Sequence, residues 1–160
     1  MLTGLLFIAM ALNPDVAPSP VPPSSRAVEN APVQAGDELE IKGLLAQQYT
    51  AWNARDIEGY MVAFWRSPLL LYGVQSSVWT GWEDVRSHLN RDYPDKNAMG
   101  NVALDRLKTT LLDKDTATTV EWWTDSFPRT KVRGFTISTW RKLPEGWRII
   151  QGSTSATETP

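Results

Sequence analysis

Residues 49–83 read YTAWNARDIEGYMVAFWRSPLLLYGVQSSVWTGWE, and the order of signals in this stretch decides the fold. Tyr49 and Trp52 close an apolar stripe that begins with Ile41, Leu44 and Leu45 at helical spacing. Upstream, Asp37-Glu38-Leu39-Glu40 has the D-x-x-E form of a capping box, so order is expected to begin at Asp37. Asn53-Ala54-Arg55-Asp56 makes a tight corner, in which Asn53 tolerates left-handed backbone and Asp56 can cap the next helix. The second helix presents Ile57, Tyr60, Met61, Phe64 and Trp65, and Ser67-Pro68 stops it. Residues 69–72 then read as a short buried strand with residues 78–80 as its hairpin partner. A third helix over 82–93 places Trp82, Val85 and Leu89 on one face, and Pro94-Asp95 ends it.

From Asn101 the pattern changes to period two, punctuated at Asp113-Lys114-Asp115, Pro128-Arg129 and Pro144-Glu145-Gly146. Four long strands are predicted, at 101–112, 116–127, 131–143 and 146–156. Three N-terminal helices followed by an antiparallel meander imply an α+β domain with the helices packed on one face of the sheet. The sequence contains no internal repeat.

Composition narrows the chemistry. The 160 residues suit one domain plus an appendage, and the net charge is −2 with both signs interspersed. No basic block suited to phosphates occurs, which argues against nucleic acid as a partner. Without cysteine there is no disulfide framework, thiolate nucleophile or cysteine-based metal site. With His88 the single histidine, multi-histidine metal centres are excluded and a histidine-dependent triad is disfavoured. No metal or cofactor is therefore expected. The 8 tryptophans lie between Trp52 and Trp147, and suit core, pocket or interface equally.

Residues 1–36 differ from the rest. The run Leu5-Leu6-Phe7-Ile8-Ala9-Met10-Ala11-Leu12 is too short to span a bilayer but has the length of a signal-peptide core, and Ala9-Met10-Ala11 has the form of a cleavage site. No basic residue precedes Arg26, so either the true start lies upstream or the segment is a degenerate signal or anchor. Pro14, Pro18, Pro20, Pro22, Pro23 and Pro32 mark an extended spacer. These features predict export to the periplasm or medium, with no stable membrane span; the alternative is a cytoplasmic protein with an ordinary N-terminal tail.

The Y-x-x-W-N-A-x-D corner, the aromatic end of the second helix, T-G-W-E-x-V and the final G-W-R-I-I strand resemble the nuclear transport factor 2-like superfamily, within it the SnoaL-like and ketosteroid-isomerase-like small bacterial domains. The resemblance covers residues 37–157 and implies a cone-shaped, cystatin-like roll with a curved, mostly antiparallel sheet around a ligand cavity. That fold hosts isomerases, cyclases, dehydratases and non-catalytic binders. In the isomerase branch a helix-one tyrosine assists the substrate carbonyl, and Tyr49 matches it. The branch's proton-abstracting aspartate falls on Tyr72, whose phenol is a poor base at neutral pH. Its second oxyanion-hole acid falls near Ser138, a weaker donor. Where SnoaL-like domains carry histidines in the last strand, this chain has Gln151-Gly152-Ser153.

Strand alternation supplies a pocket. If Phe127 to Thr130 closes a two-residue hairpin, Trp123 faces Gly134, Glu121 faces Thr136 and Thr119 faces Ser138. Thr119, Glu121, Trp123, Thr136, Ser138 and Trp140 then share one face, and Val120, Trp122, Phe135 and Ile137 the other. The match at Ser138 puts the first set inside, joined by Tyr49, Trp52, Tyr72 and Ser153; a one-residue slip would exchange the faces. The outer face is expected to form a homodimer, as is common in the superfamily.

A carboxylate inside an aromatic cone would have its pKa raised, as acid–base chemistry requires; the bland alternative puts Glu121 at the rim or in an ion pair with Arg133 or Arg148. His88 reads as a boundary residue, and Trp65, Trp79 and Trp147 as core. Three functions follow: a cone that binds a small apolar or aromatic molecule without transforming it, which is the leading reading; a proton-transfer enzyme on a carbonyl compound, with Tyr49 as oxyanion donor and Glu121 or His88 as base; or a structural dimer whose tryptophans fill the cavity.

Overall fold

The computed structural model describes residues 31–95 and 98–159, so the apolar run and most of the proline-rich segment lie outside the described residues. Helices α1 (Ala31–Asn53), α2 (Ile57–Met61) and α3 (Trp82–Asp92) alternate early with the short strands β1 (Leu71–Val74) and β2 (Ser77–Thr80). The long strands β3 (Asn101–Leu111), β4 (Thr116–Ser126), β5 (Lys131–Leu143) and β6 (Gly146–Thr159) follow. They form one curved sheet in the order β2-β1-β6-β5-β4-β3, antiparallel except where β1 runs parallel to β6. Among the described residues no helix is long and apolar enough to cross a membrane.

Several boundaries differ from the sequence reading, each for a physical reason. Helix α1 starts at Ala31, six residues before the expected cap. Proline is tolerated in a first helical turn, where its missing N–H has no partner to lose. Asp37 is therefore mid-helix, and its carboxylate is spent elsewhere: the Lys142 ammonium at 2.6 Å and the Trp147 indole N–H at 3.0 Å both donate to it. Burial pushes the Asp37 carboxyl up, but those two donors and the Lys142 charge outweigh it and hold it below its ordinary value. At the corner the positive φ of 63° falls on Arg55, not Asn53. Asn53 stays helical and uses its amide on β3, donating to the Val102 carbonyl at 2.9 Å and accepting the Val102 N–H at 2.8 Å. Asp56 caps α2 as expected, accepting the Gly59 N–H at 2.8 Å.

Helix α2 ends at Met61, four residues short of Trp65. The chain there turns extended and pairs with β6, Ile149 donating to Ala63 and Trp65 donating back to Ile149, both at 2.9 Å. Sheet pairing thus captures residues that helical periodicity would assign to α2. Strand β1 begins at Leu71, because Leu69 and Leu70 belong to the turn before it; Leu70 is buried and Leu69 is exposed.

The core lies between α1, α2 and the inner sheet face. Ile41 and Leu45 of α1, Met61 of α2, and Trp140 and Trp147 of the sheet are all wholly buried. Full burial of side chains this size contributes roughly 2–3 kcal/mol each before entropy is counted. Trp65, expected in the core, is partly exposed, whereas Trp147 is fully enclosed.

Candidate functional site

The β4–β5 hairpin builds the floor of the site. Phe127 donates to the Thr130 carbonyl at 2.9 Å, closing the two-residue turn. Its register puts Trp123 opposite Gly134, Glu121 opposite Thr136 and Thr119 opposite Ser138, as the hairpin chemistry predicts. The inward face is the one that carries Glu121, since Glu121 is 3% exposed whereas Phe135 and Ile137 are 41% and 46% exposed. Gly134 has a steric role, because a Cβ there would lie 2.5 Å from the Trp123 ring and 2.4 Å from the Ser155 carbonyl. Its absence lets the indole lie across β5, where Trp123 donates to the Thr136 hydroxyl at 3.0 Å.

These elements enclose a cavity of about 280 Å³. Of the expected pocket residues, Tyr49, Trp52, Tyr72, Trp123, Thr136 and Ser138 line it together with Glu121. Three others stand elsewhere. Thr119 and Trp140 lie wholly buried behind Glu121, in the layer that positions it. Ser153 is on the outer face opposite Ile137, because a bulge at Ile150 shifts β6 by one residue against β5. Without that bulge Ser153 would oppose Thr136 and point inward; Thr154 lines the cavity in its stead.

Glu121 sits in a dense set of donors. The Thr119 hydroxyl donates to Oε1 at 2.9 Å and the Ser138 hydroxyl at 3.4 Å, while Tyr49 donates to Oε2 at 3.3 Å. Thr119 is itself oriented by the Trp140 indole N–H, which donates to its Oγ1 at 2.9 Å and leaves the hydroxyl proton for Glu121. Burial pushes the Glu121 carboxyl up, and the three donors only partly offset this, leaving it at about 7. Glu121 is neither at the rim nor in an ion pair with Arg133 or Arg148.

Above it stand phenols. The Tyr60 and Tyr72 hydroxyls meet at 3.5 Å, so one donates to the other and the second retains a free proton. Burial raises the pKa of Tyr49, Tyr60 and Tyr72, and the nearby Glu121 charge adds to it, so all three are neutral donors at pH 7. His88 does not reach the cavity; it stacks on Trp79 at 4.5 Å and meets the Asp84 carbonyl through Nδ1 at 2.9 Å. That arrangement removes it as a base, while Trp79 is both core and cavity wall.

Sequence reasoning missed Tyr60, Phe64, Tyr93 and Asp125 as lining residues. The signal for Asp125 was present, since it continues the inward alternation two positions beyond Trp123. Tyr60 and Phe64 were legible as an apolar helix face, but not as the part of it that faces the cavity.

No family model and no curated protein matches the chain. Solved structures do. A nuclear transport factor 2-like protein of unknown function from Shewanella oneidensis is 24% identical, with a TM-score of 0.70 over 74% of this chain and 98% of its own. A cystatin-like fold protein from Burkholderia xenovorans is 25% identical, with a TM-score of 0.63 over 79% and 96%. LinA, at 9% identity, superposes with a TM-score of 0.66 over 82% of this chain and 93% of its own. Sequence corner, sheet order and these superpositions agree: the chain has the cone-shaped, cystatin-like α+β fold of the nuclear transport factor 2-like superfamily.

Proposed function

We propose that the cone binds a small aromatic or apolar carbonyl compound and that Glu121 moves a proton on it. The observation that carries this reading is a single carboxyl on the floor of an aromatic cavity, held by Tyr49, Thr119 and Ser138 and poised near neutral pH. A group of that pKa is half ionised at pH 7, the condition under which a general base works best. In the anionic form Glu121 takes the proton from the carbon beside the carbonyl, and the electron pair of that C–H bond passes into the enolate. Neutral phenols then stabilise the enolate oxygen: Tyr49, once its hydroxyl turns from Glu121, or the unspent proton of the Tyr60–Tyr72 pair. Glu121 returns the proton to the same or a different carbon, so an isomerisation balances without a co-reactant.

Cavity size limits the ligand. An apolar cavity of about 150 Å³ accommodates benzene, so 280 Å³ suits two fused rings with a short substituent. The test uses 2-tetralone in D2O at pH 7, following deuterium entry beside the carbonyl by mass spectrometry. Exchange that depends on the protein and falls by about a hundredfold or more in Glu121→Gln is expected. Equal exchange in both proteins removes Glu121 as the base, and tetralone that binds without exchanging leaves the chain a binder.

The outer face supports a homodimer. Phe135 and Ile137 are exposed there, beside a Trp122 ring covered by the Arg106 guanidinium at 3.6 Å. An apolar sheet face of this kind gains by being covered. The export reading rests on residues 5–12, outside the described residues, and N-terminal sequencing of the mature protein tests it.

A further inference from the structure

The two oxygens of Glu121 are held differently. Oε1 accepts from Thr119 at 2.9 Å and from Ser138 at 3.4 Å, hydroxyls of two residues that face each other across β4 and β5 and are both buried in the sheet. Oε2 accepts from Tyr49 of α1 at 3.3 Å, and Tyr49 is part of the cavity wall. Thr119, which makes the shortest of the three bonds, lies behind that wall. One oxygen is thus tied down into the sheet, and the other is met from the cavity side.

Behind Thr119 stands Trp140. It pairs with Ala117 across the two strands, and opposite so small a residue its indole can lean to the diagonal neighbour Thr119. There the N–H donates to Oγ1 at 2.9 Å. An indole nitrogen only donates, so Thr119 must accept from it, and a hydroxyl has a single proton to give in return. With one lone pair occupied, the rotor cannot turn that proton toward Trp140, and the proton meets Oε1 of Glu121 instead. Both Thr119 and Trp140 are wholly buried, so no water competes for either bond. A donor chain that ends on a carboxylate is stronger and more directional than one between neutral groups.

We propose that Thr119 and Trp140 are positioning residues of the reaction: the chain from Trp140 through Thr119 clamps Oε1 and leaves Oε2 as the oxygen that takes the proton from the ligand. This rests on the proton-transfer reading of Glu121, and adds to it the reacting atom and two residues that aim it without lining the cavity. When Tyr49 turns its proton to the ligand's oxygen, Oε2 loses its donor while Oε1 stays held. The reacting side is freed and the carboxyl still cannot rotate. The proton passes from carbon to Oε2 and back from Oε2 to carbon, so the step closes without a co-reactant. Donors to the anion make it a weaker base, and what the clamp gains is aim.

The experiment sets basicity against rate. In protein carrying carbon-13 in its glutamate carboxyls, the Glu121 signal is the one missing from Glu121→Gln, and it is titrated by NMR with no ligand present. Its midpoint should rise by about one pH unit in Thr119→Val, a roughly tenfold change in proton affinity, and return to the wild-type value in Thr119→Ser. Trp140→Phe should move it the same way, but not when residue 119 is already valine, because the indole acts through Thr119. Protein-dependent deuterium exchange into 2-tetralone, followed at pH 9 where the carboxyl is ionised, should fall by about tenfold or more in Thr119→Val and recover in Thr119→Ser. That loss would occur although the valine variant holds the stronger base. A rate that holds or rises with basicity overturns the inference, as does an unmoved midpoint in Thr119→Val or a Trp140→Phe shift that persists beside valine. If Trp140→Phe does not fold, the two Thr119 variants decide. Wild-type protein that exchanges no tetralone overturns the proton-transfer reading together with the inference, and is told apart from failure of the clamp alone because the titration needs no ligand.

Discussion

Replacing Glu121 by glutamine isolates the cost of keeping a charge on the cavity floor. In the unfolded chain the carboxyl titrates at its ordinary value of 4.5, and in the folded chain burial pushes it up to about 7. Below pH 4.5 it is protonated in both states and exacts no penalty. Between the two values the folded chain binds the extra proton, so stability falls as pH rises, and above about 7 the full penalty applies. Each pH unit of that interval is worth about 1.4 kcal/mol, so ionised Glu121 destabilises the fold by about 3 kcal/mol. No screening discount applies to a side chain 3% exposed. Glutamine is neutral throughout and fits the same partners. Its carbonyl can keep the Thr119 and Ser138 protons, and its amide can donate to the Tyr49 oxygen once that hydroxyl turns.

Urea unfolding of both proteins at pH 4.5 and pH 8 gives the comparison. The variant should gain about 3 kcal/mol on the wild type between the two, or about 10 °C in melting temperature for a domain of this size. Taking the difference between proteins cancels the pH dependence of Asp37, Asp125 and every other shared acid. A difference that is the same at both pH values would mean Glu121 is solvated or permanently compensated. The base assigned to the site would then lose its physical ground.

Two further outcomes test the frame that holds the site. Lys142→Met leaves the Asp37 carboxylate, whose side chain is 8% exposed, held by the Trp147 indole N–H without the lysine charge; it should cost about 1–3 kcal/mol at pH 7 by denaturant unfolding. Because Asp37 titrates below its ordinary value, that loss should shrink as pH drops through the acid range, and a pH-independent loss would assign it to packing. For the outer face, Phe135→Lys with Ile137→Lys should convert a dimer to a monomer in analytical ultracentrifugation, and a wild type that sediments as a monomer at micromolar concentration sinks the dimer.

What could be read from residues alone follows the reach of each signal. The Phe127–Thr130 turn is local, and a two-residue turn fixes register, so the pairing of Glu121 with Thr136 and its inward direction were legible. The bulge at Ile150 was not, because nothing in Arg148-Ile149-Ile150-Gln151 distinguishes an extra residue from a regular one, and every β6 side chain beyond it changes face. Asp37-x-x-Glu40 shows the opposite failure. Its local pattern is that of a cap, yet both carboxylates are used by residues more than a hundred positions away, Asp37 by Lys142 and Trp147 and Glu40 by the Trp147 backbone N–H. A carboxyl thus carries two meanings in one domain. Asp37 is a clamp because a lysine and an indole meet it, and Glu121 is a candidate base because it meets hydroxyls and no cation. Chemistry at each carboxyl is decided by what the fold brings to it, and that is the part of the site that strand period and turn type do not encode.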